Sequence, residues 1–165
     1  MDLERRGHLR AVVTQNTDGL HQRAGSSDVI ELHGSSHAVI CLDCDARFPR
    51  AEIDQLNREH CPPSCLSCGG RFLKPTVVLF GEALPQSALR QAQQLAMAAD
   101  VVLIVGSSLQ VYPAAGIPRL ALQYGAELCI VNAEPTPYDE VAAAVIQGKA
   151  GEVLPEIVRR VAQES

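Results

Sequence analysis

Two pairs of cysteines, Cys41-Leu-Asp-Cys44 and Cys65-Leu-Ser-Cys68, stand twenty residues apart in a chain of 165. Two residues between thiols let the backbone turn and aim both sulfurs inward, so each pair can clamp one side of a tetrahedral ion. The separation lies at the edge of the two-pair zinc pattern but within it. Gly69-Gly70 after the second pair supplies a tight turn that brings backbone amides toward the sulfurs. Four buried free thiols are the plain alternative, and a redox pair is another, although redox CxxC motifs occur singly beside a βαβ unit. Cys61 is a possible substitute for Cys65, but the spacing favours Cys41, Cys44, Cys65 and Cys68. Four thiolates close the shell around a metal and leave no position for water or substrate, so this zinc is expected to be structural. Cys129 lies in an apolar run and reads as a core residue.

Three other stretches concentrate polar groups at what read as strand ends. They are Thr14-Gln15-Asn16-Thr17-Asp18-Gly19-Leu20-His21 with the nearby Glu31-Leu32-His33-Gly34, then Gly81-Glu82-Ala83-Leu84-Pro85, then Gly106-Ser107-Ser108-Leu109. In open α/β sheets ligands collect beyond the carboxyl ends of strands. A Gly/Ser loop ahead of a helix can offer amides and hydroxyls to a phosphate. Taken singly, each has a structural explanation: Asn16 and Asp18 suit a turn or cap, and His33 suits a satisfied loop histidine.

The elements that must position these groups are legible as alternating apolar runs. Leu9–Thr14 and Val29–Leu32 read as short strands, Pro75–Phe80 as a buried strand, and Gln86–Ala99 as a helix. Asp100–Val105 and Glu127–Asn132 are near-continuous apolar strands, and Ala142–Ile146 is a short last one. Pro113–Tyr124 reads as a helix, with Pro near its start and Gly125 just past its end. Gly151–Gln163 closes the chain as a helix. Strands without polar alternation, separated by helices, indicate a parallel sheet covered on both faces. The fold class is therefore α/β, a partial Rossmann-like parallel sheet with helices on both faces plus a small zinc-binding insert. The cofactor-type domain is expected over 1–36 and 72–165. A zinc-ribbon-like insert is expected over 37–71, which holds five of the six cysteines and too little apolar periodicity to fold unaided.

The composition is that of a folded protein, with 47% hydrophobic and 20% charged residues. Fourteen basic against nineteen acidic residues give a formal charge of −5. That balance opposes a nucleic-acid grip, which needs a basic face, and an anionic membrane surface repels it as well. The longest uncharged run, 101–118, is interrupted by two Gly and two Pro and is not a membrane span. Met1–Arg10 lacks an apolar signal stretch, so six cysteines point to a reducing cytoplasm.

In combination the motifs become specific. TQNTDGLH, ELHG, CxxC…CxxCGG, KPTVVLFGEALP, VGSSLQVYPAA and IVNAEPTPYD, in that order, resemble the sirtuins, NAD-dependent protein lysine deacylases, over nearly the whole chain from about Leu9 to Val161. The resemblance implies that His33 is the general base on the nicotinamide ribose hydroxyls. It implies that Asn16 and Asp18 line the nicotinamide pocket with Gln15 near the ribose. Gly106, Ser107 and Ser108 would meet the phosphates and ribose, Asn132 the adenosine ribose, and Gly148, Lys149 and Ala150 the adenine. Gly81, Glu82 and Ala83, with Gln110 and Val111, would form the two edges between which an acyl-lysine peptide adds as a strand, a mode tolerant of peptide sequence. The implied cofactors are NAD and a structural zinc, and the implied partner is an acyl-lysine protein or peptide.

Two departures accompany the resemblance. Thr17 stands where the commoner motif has isoleucine. The family also opens with a strand and a glycine-rich GAG-type phosphate loop, whereas this chain starts at MDLERRGHLR. The expectation is an N-terminally truncated member with weak NAD binding. The competing function is a non-catalytic, zinc-stapled peptide-binding module.

Overall fold

The structure, a computed structural model, describes residues 2–59 and 61–164. In chain order the first elements are α1 (Asp2–Arg5), β1 (Val12–Thr14), α2 (Leu20–Arg23), β2 (Val29–Glu31), β3 (Ala38–Cys41) and β4 (Arg47–Pro49). They are followed by α3 (Arg50–Glu59), β5 (Leu73–Pro75), α4 (Gln86–Met97) and β6 (Val101–Val105). The chain ends with α5 (Ile117–Gln123), β7 (Glu127–Asn132), β8 (Ala144–Gln147) and α6 (Ala150–Glu164), with short 3₁₀ turns at Ala114–Gly116 and Asp139–Val141. Two compact units result, one formed by residues 12–86 and the other by 1–11 with 87–165.

In the second unit β6, β7 and β8 make a parallel sheet with β7 in the centre. The central strand carries the core: Leu128, Ile130 and Val131 are almost wholly buried. Ala96 of α4, Ala121 of α5, Ile104, Leu109, Ala126 and Tyr138 join Leu128 and Ile130 in one cluster. Small residues on the helices let them approach the sheet closely, which is why alanine-rich segments bury their faces here. Helix α5 ends as the Pro/Gly asymmetry predicts. The Gly125 amide donates to Leu122 and the Ala126 amide to Ala121, at 3.1 Å each, closing the orphan carbonyls with Gly125 at φ 93°.

In the 12–86 unit, β1 and β2 pair in parallel, Val12 opposite Val29 through Thr14 opposite Glu31. A separate antiparallel sheet, ordered β4-β3-β5, carries the cysteines. Parallel strands flanked by helices and the cysteine insert thus follow the expected class. Two local readings are corrected. The run 75–80 is not a buried strand: the strand is Leu73–Pro75, and beyond it Leu79 and Phe80 are exposed, Phe80 completely. The insert also contains a ten-residue helix, α3, whose Ile53 is buried, which poor periodicity did not announce. The helix expected over 113–124 is present as a 3₁₀ turn, Ala114–Gly116, that runs into α5. Among the described residues no helix is long and apolar enough to cross a membrane.

Candidate functional site

The four paired cysteines converge. The Sγ atoms of Cys41, Cys44, Cys65 and Cys68 all lie within 4.8 Å of one another, with Cys41–Cys68 and Cys44–Cys65 at 3.7 Å. A tetrahedron with Zn–S bonds of about 2.3 Å has edges of about 3.8 Å, so the donor set fits zinc. Local backbone explains the convergence. In the first knuckle the Asp45 amide donates to the Cys41 carbonyl and the Cys41 amide to Ala46. In the second, Gly69 donates to Cys65 and Cys65 to Gly70. Asp45 at φ 58° and Gly69 at φ 76° occupy the same left-handed corner. Amides of Ser67 and Gly70 point at the Cys65 and Cys68 sulfurs, 3.4 Å away in each case.

Four thiols this close cannot all ionise unless a cation compensates them. Left to protein groups alone, Cys44 is pushed up to about 12. The Ala46 amide favours its thiolate, but the Cys68 thiol, burial, and the Cys65 and Cys41 thiols outweigh it. Cys65 is drawn down to about 7, because the Cys68 and Ser67 amides and the neighbouring thiols overcome its burial. Cys61 is exposed and stands outside the cluster.

The loop after β1 and the loop after β2 are stitched to each other. Thr17 accepts at its carbonyl from the Ser36 amide at 2.9 Å and the Ser36 hydroxyl at 2.6 Å. His37 Nε2 lies 2.8 Å from the Asp18 carbonyl, with its ring over Gly19. Asp18 Oδ1 accepts from the Leu20 amide, and Thr14 Oγ1 from the Asn16 amide, at 3.0 Å each. Gln15, Asn16 and Asp18 themselves face solvent. On the other side of this arrangement, Thr76 Oγ1 donates to the Ser35 carbonyl and accepts from the Ser35 amide, and the Val78 amide donates to His33. Gly34 must be glycine here. Its φ is 70°, and a Cβ would fall 2.1 Å from the Thr76 carbonyl oxygen. His33 is thereby fixed by backbone on both sides while its Nδ1 is buried without a hydrogen-bond partner.

Gly81, Glu82 and Ala83 lie on the exposed segment after β5. Glu82 Oε2 accepts from the Leu79 amide at 2.9 Å and from Lys74 Nζ at 2.8 Å, and Lys74 also donates to the Val77 carbonyl. The Leu79 amide and the Lys74 ammonium hold the Glu82 carboxyl below its usual range.

The remaining candidates belong to the other unit. Gly106 and Ser108 are exposed at the end of β6, and the Leu109 that follows is buried with φ 55°. A bulky residue held in that region marks a loop whose surroundings dictate its shape. Asn132 and Gly148 meet directly, the Gly148 amide donating to the Asn132 carbonyl at 2.9 Å, and Lys149 precedes Ala150, the first residue of α6. Gln110 and Val111 are exposed just before the 3₁₀ turn. Sequence reasoning missed Ser36, His37, Thr76, Lys74 and Tyr138. The Ser-Ser-His run and Thr76 carried a turn-forming signal at most.

Comparison with known proteins accounts for this combination. Residues 1–113 match the model of the Sir2 family. An NAD-dependent protein deacylase 2 of Archaeoglobus fulgidus is 51% identical over 161 residues, 97% of this chain and 63% of that protein. An NAD-dependent protein deacetylase of Thermodesulfovibrio yellowstonii is 46% identical, over 95% of this chain and 61% of its own length. The chain therefore spans a little over three fifths of these relatives. Among solved structures, a Sir2 enzyme superposes with a TM-score of 0.87 at 50% identity, covering 99% of this chain and 66% of that one. A Sir2 complex with a p53 peptide and NAD+ gives 0.84 at 40% identity, over 98% and 65%. With the family matched over more than two thirds of its residues and half its sequence shared with such relatives, the chain belongs to the Sir2 family.

Proposed function

We propose that this chain carries the acyl-lysine and nicotinamide chemistry of an NAD-dependent protein lysine deacylase. The observation that carries the reading is the stitched pair of loops: His33, immobilised by Gly34, Thr76 and Val78, sits one loop away from Asn16 and Asp18, which Ser36 and His37 hold in place. NAD, when bound, would supply an activated ribose carbon, open to the acyl oxygen as nicotinamide leaves, and a ribose hydroxyl to take up the acyl group. His33 acts as base toward a ribose hydroxyl, a task for an imidazole with pKa near the working pH. Asn16 and Asp18 hold the carboxamide, and Gln15 faces the ribose. Gly106, Ser107 and Ser108 meet phosphate and ribose. Asn132 binds the adenosine ribose, and Gly148, Lys149 and Ala150 the adenine.

The acyl-lysine peptide adds as a strand between Gly81–Ala83 and Gln110–Val111, with main-chain hydrogen bonds supplying the affinity. Residues 37–71 act as the zinc-held insert of a cofactor domain formed by 1–36 and 72–165. The zinc is structural, because four thiolates complete its shell. Six free cysteines and a thiolate metal site suit a reducing cytoplasm. The test is release of nicotinamide by the zinc-loaded protein. Release that requires both NAD and an acetyl-lysine peptide supports the reading, and NAD consumption indifferent to the peptide's acyl group refutes it.

A further inference from the structure

We infer that Tyr138 is a positioning residue for the peptide edge at Gln110–Val111, tying that edge to the segment that carries Asn132. The inference rests on the deacylase reading above, which places the peptide there. No strand or helix lies between Val105 and Ala114, yet strand addition requires the main chain of 110–112 to hold a fixed line. Two anchors bound the segment. At one end the Leu109 side chain is buried in the core in a left-handed backbone conformation. At the other, the Ala115 amide donates to the Val111 carbonyl at 2.9 Å.

Tyr138 serves both anchors. Its ring belongs to the same buried cluster as Leu109. Its hydroxyl donates to the Ala115 carbonyl at 2.7 Å, with Ala115 only 1% exposed, so water cannot replace the phenol. Burial also pushes the phenol pKa up, which keeps the proton on the donor. The tyrosine is itself held by the turn that follows Asn132. Its amide donates to Thr136 Oγ1 at 3.3 Å, Thr136 donates to Asp139 Oδ1 at 2.5 Å, and Asn132 Nδ2 donates to Glu134 at 2.8 Å. A two-bond path thus runs from the adenosine-side turn through Ala115 to Val111.

Tyr138→Phe keeps the ring and the Leu109 anchor and removes only the hydroxyl's bond. Two readouts test it on the zinc-loaded protein: titration with a labelled acetyl-lysine peptide and with NAD, and amide hydrogen exchange. Peptide affinity should weaken about three- to tenfold, the worth of one buried hydrogen bond, while NAD affinity stays within twofold. Exchange should quicken across 111–116 but not in β7. Unchanged peptide affinity, or exchange quickened equally in β7, overturns the inference, the second outcome because it marks a merely structural role. A wild-type protein that binds no acyl peptide removes the deacylase reading and this inference together. That failure is visible before any variant is made.

Discussion

Replacing Gly34 by alanine separates what holds His33 from what His33 does. Gly34 has φ 70°, so any Cβ is strained by about 1 kcal/mol from backbone conformation alone. The added methyl would also stand 2.1 Å from the Thr76 carbonyl oxygen and 2.8 Å from its carbon, and neither atom is the movable end of a side chain. The two segments must part. Parting strains three hydrogen bonds: Ser35 amide to Thr76 Oγ1 at 3.2 Å, Thr76 Oγ1 to Ser35 carbonyl at 2.9 Å, and Val78 amide to His33 carbonyl at 2.9 Å. At about 1 kcal/mol each, the total approaches 4 kcal/mol, or about 8–16 °C in Tm for a chain of this size. Gly125→Ala is the control. Its φ is 93°, but nothing lies within 4 Å of the added methyl, so it should cost only about 1 kcal/mol or 2–4 °C. The chain has no tryptophan, so melting is followed by far-ultraviolet circular dichroism. Nicotinamide release should fall at least ~10²-fold in Gly34→Ala, the usual loss when a catalytic group moves by about an ångström. Equal melting shifts in the two variants would refute the claim that 33–35 and 76–78 are one packed joint.

Three further outcomes follow from the same contacts. Purified protein should contain one zinc per chain, lost in a Cys41→Ser/Cys44→Ser variant, and chelation should speed amide exchange in 38–75 first, since binding energy at such sites is folding energy; full zinc retention by the variant would contradict the assignment. On the proposed deacylase reading, His33→Ala should cut deacylation at least ~10²-fold with melting and zinc content unchanged, the loss expected when a general base is removed; retained turnover would overturn the role proposed for His33. Glu82 is held below the ordinary carboxylate value by the Leu79 amide and Lys74, so its contribution is full above that value, about 4.3, and is lost as pH falls through the lower folded value. The Leu79 amide resonance should therefore be flat from pH 6 to 8 and move only in acid, and in Glu82→Gln it should not titrate at all.

What the sequence disclosed depended on whether a residue's role lies in a pattern or in a single backbone contact. The apolar runs at 101–105 and 127–132 are neighbouring strands of a parallel sheet, because continuous apolarity has few other uses. Cysteine spacing located the thiol cluster, because the distance between ligands along the chain constrains their geometry. Val77–Phe80 broke the rule. The run is as apolar as a strand, but Lys74 caps the Val77 carbonyl and Glu82 takes the Leu79 amide, so the backbone turns outward and leaves Phe80 in solvent. That outcome turned on one lysine and one glutamate whose partners are main-chain atoms. Helix α3 escaped for a related reason: with Ile53 its buried apolar contact, it has no stripe to count. Ser36, His37 and Tyr138 likewise act on carbonyls, which leave no trace in the residue pattern of the partner.

Those carbonyl contacts also give the zinc a reach beyond its own shell. Within residues 12–86, β3 is flanked by β4 and β5, and the Leu42 amide continues the pairing to the Phe72 carbonyl. Closing Cys41 and Cys44 against Cys65 and Cys68 therefore fixes where β5 lies along β3. Beyond β5 the Thr76 amide donates to Ala38, and the Thr76 hydroxyl then grips Ser35, two residues from His33. At the other end of the same joint, His37 gives its carbonyl to the Arg50 amide at the start of α3 and its Nε2 to the Asp18 carbonyl. The short segment 35–37 is thus clamped on one side by a strand whose register the cysteines set. On the other side it clamps the loop that carries Asn16 and Asp18. A metal with no free coordination position can still decide the placement of His33, Asn16 and Asp18, because every link between them is a hydrogen bond to rigid backbone.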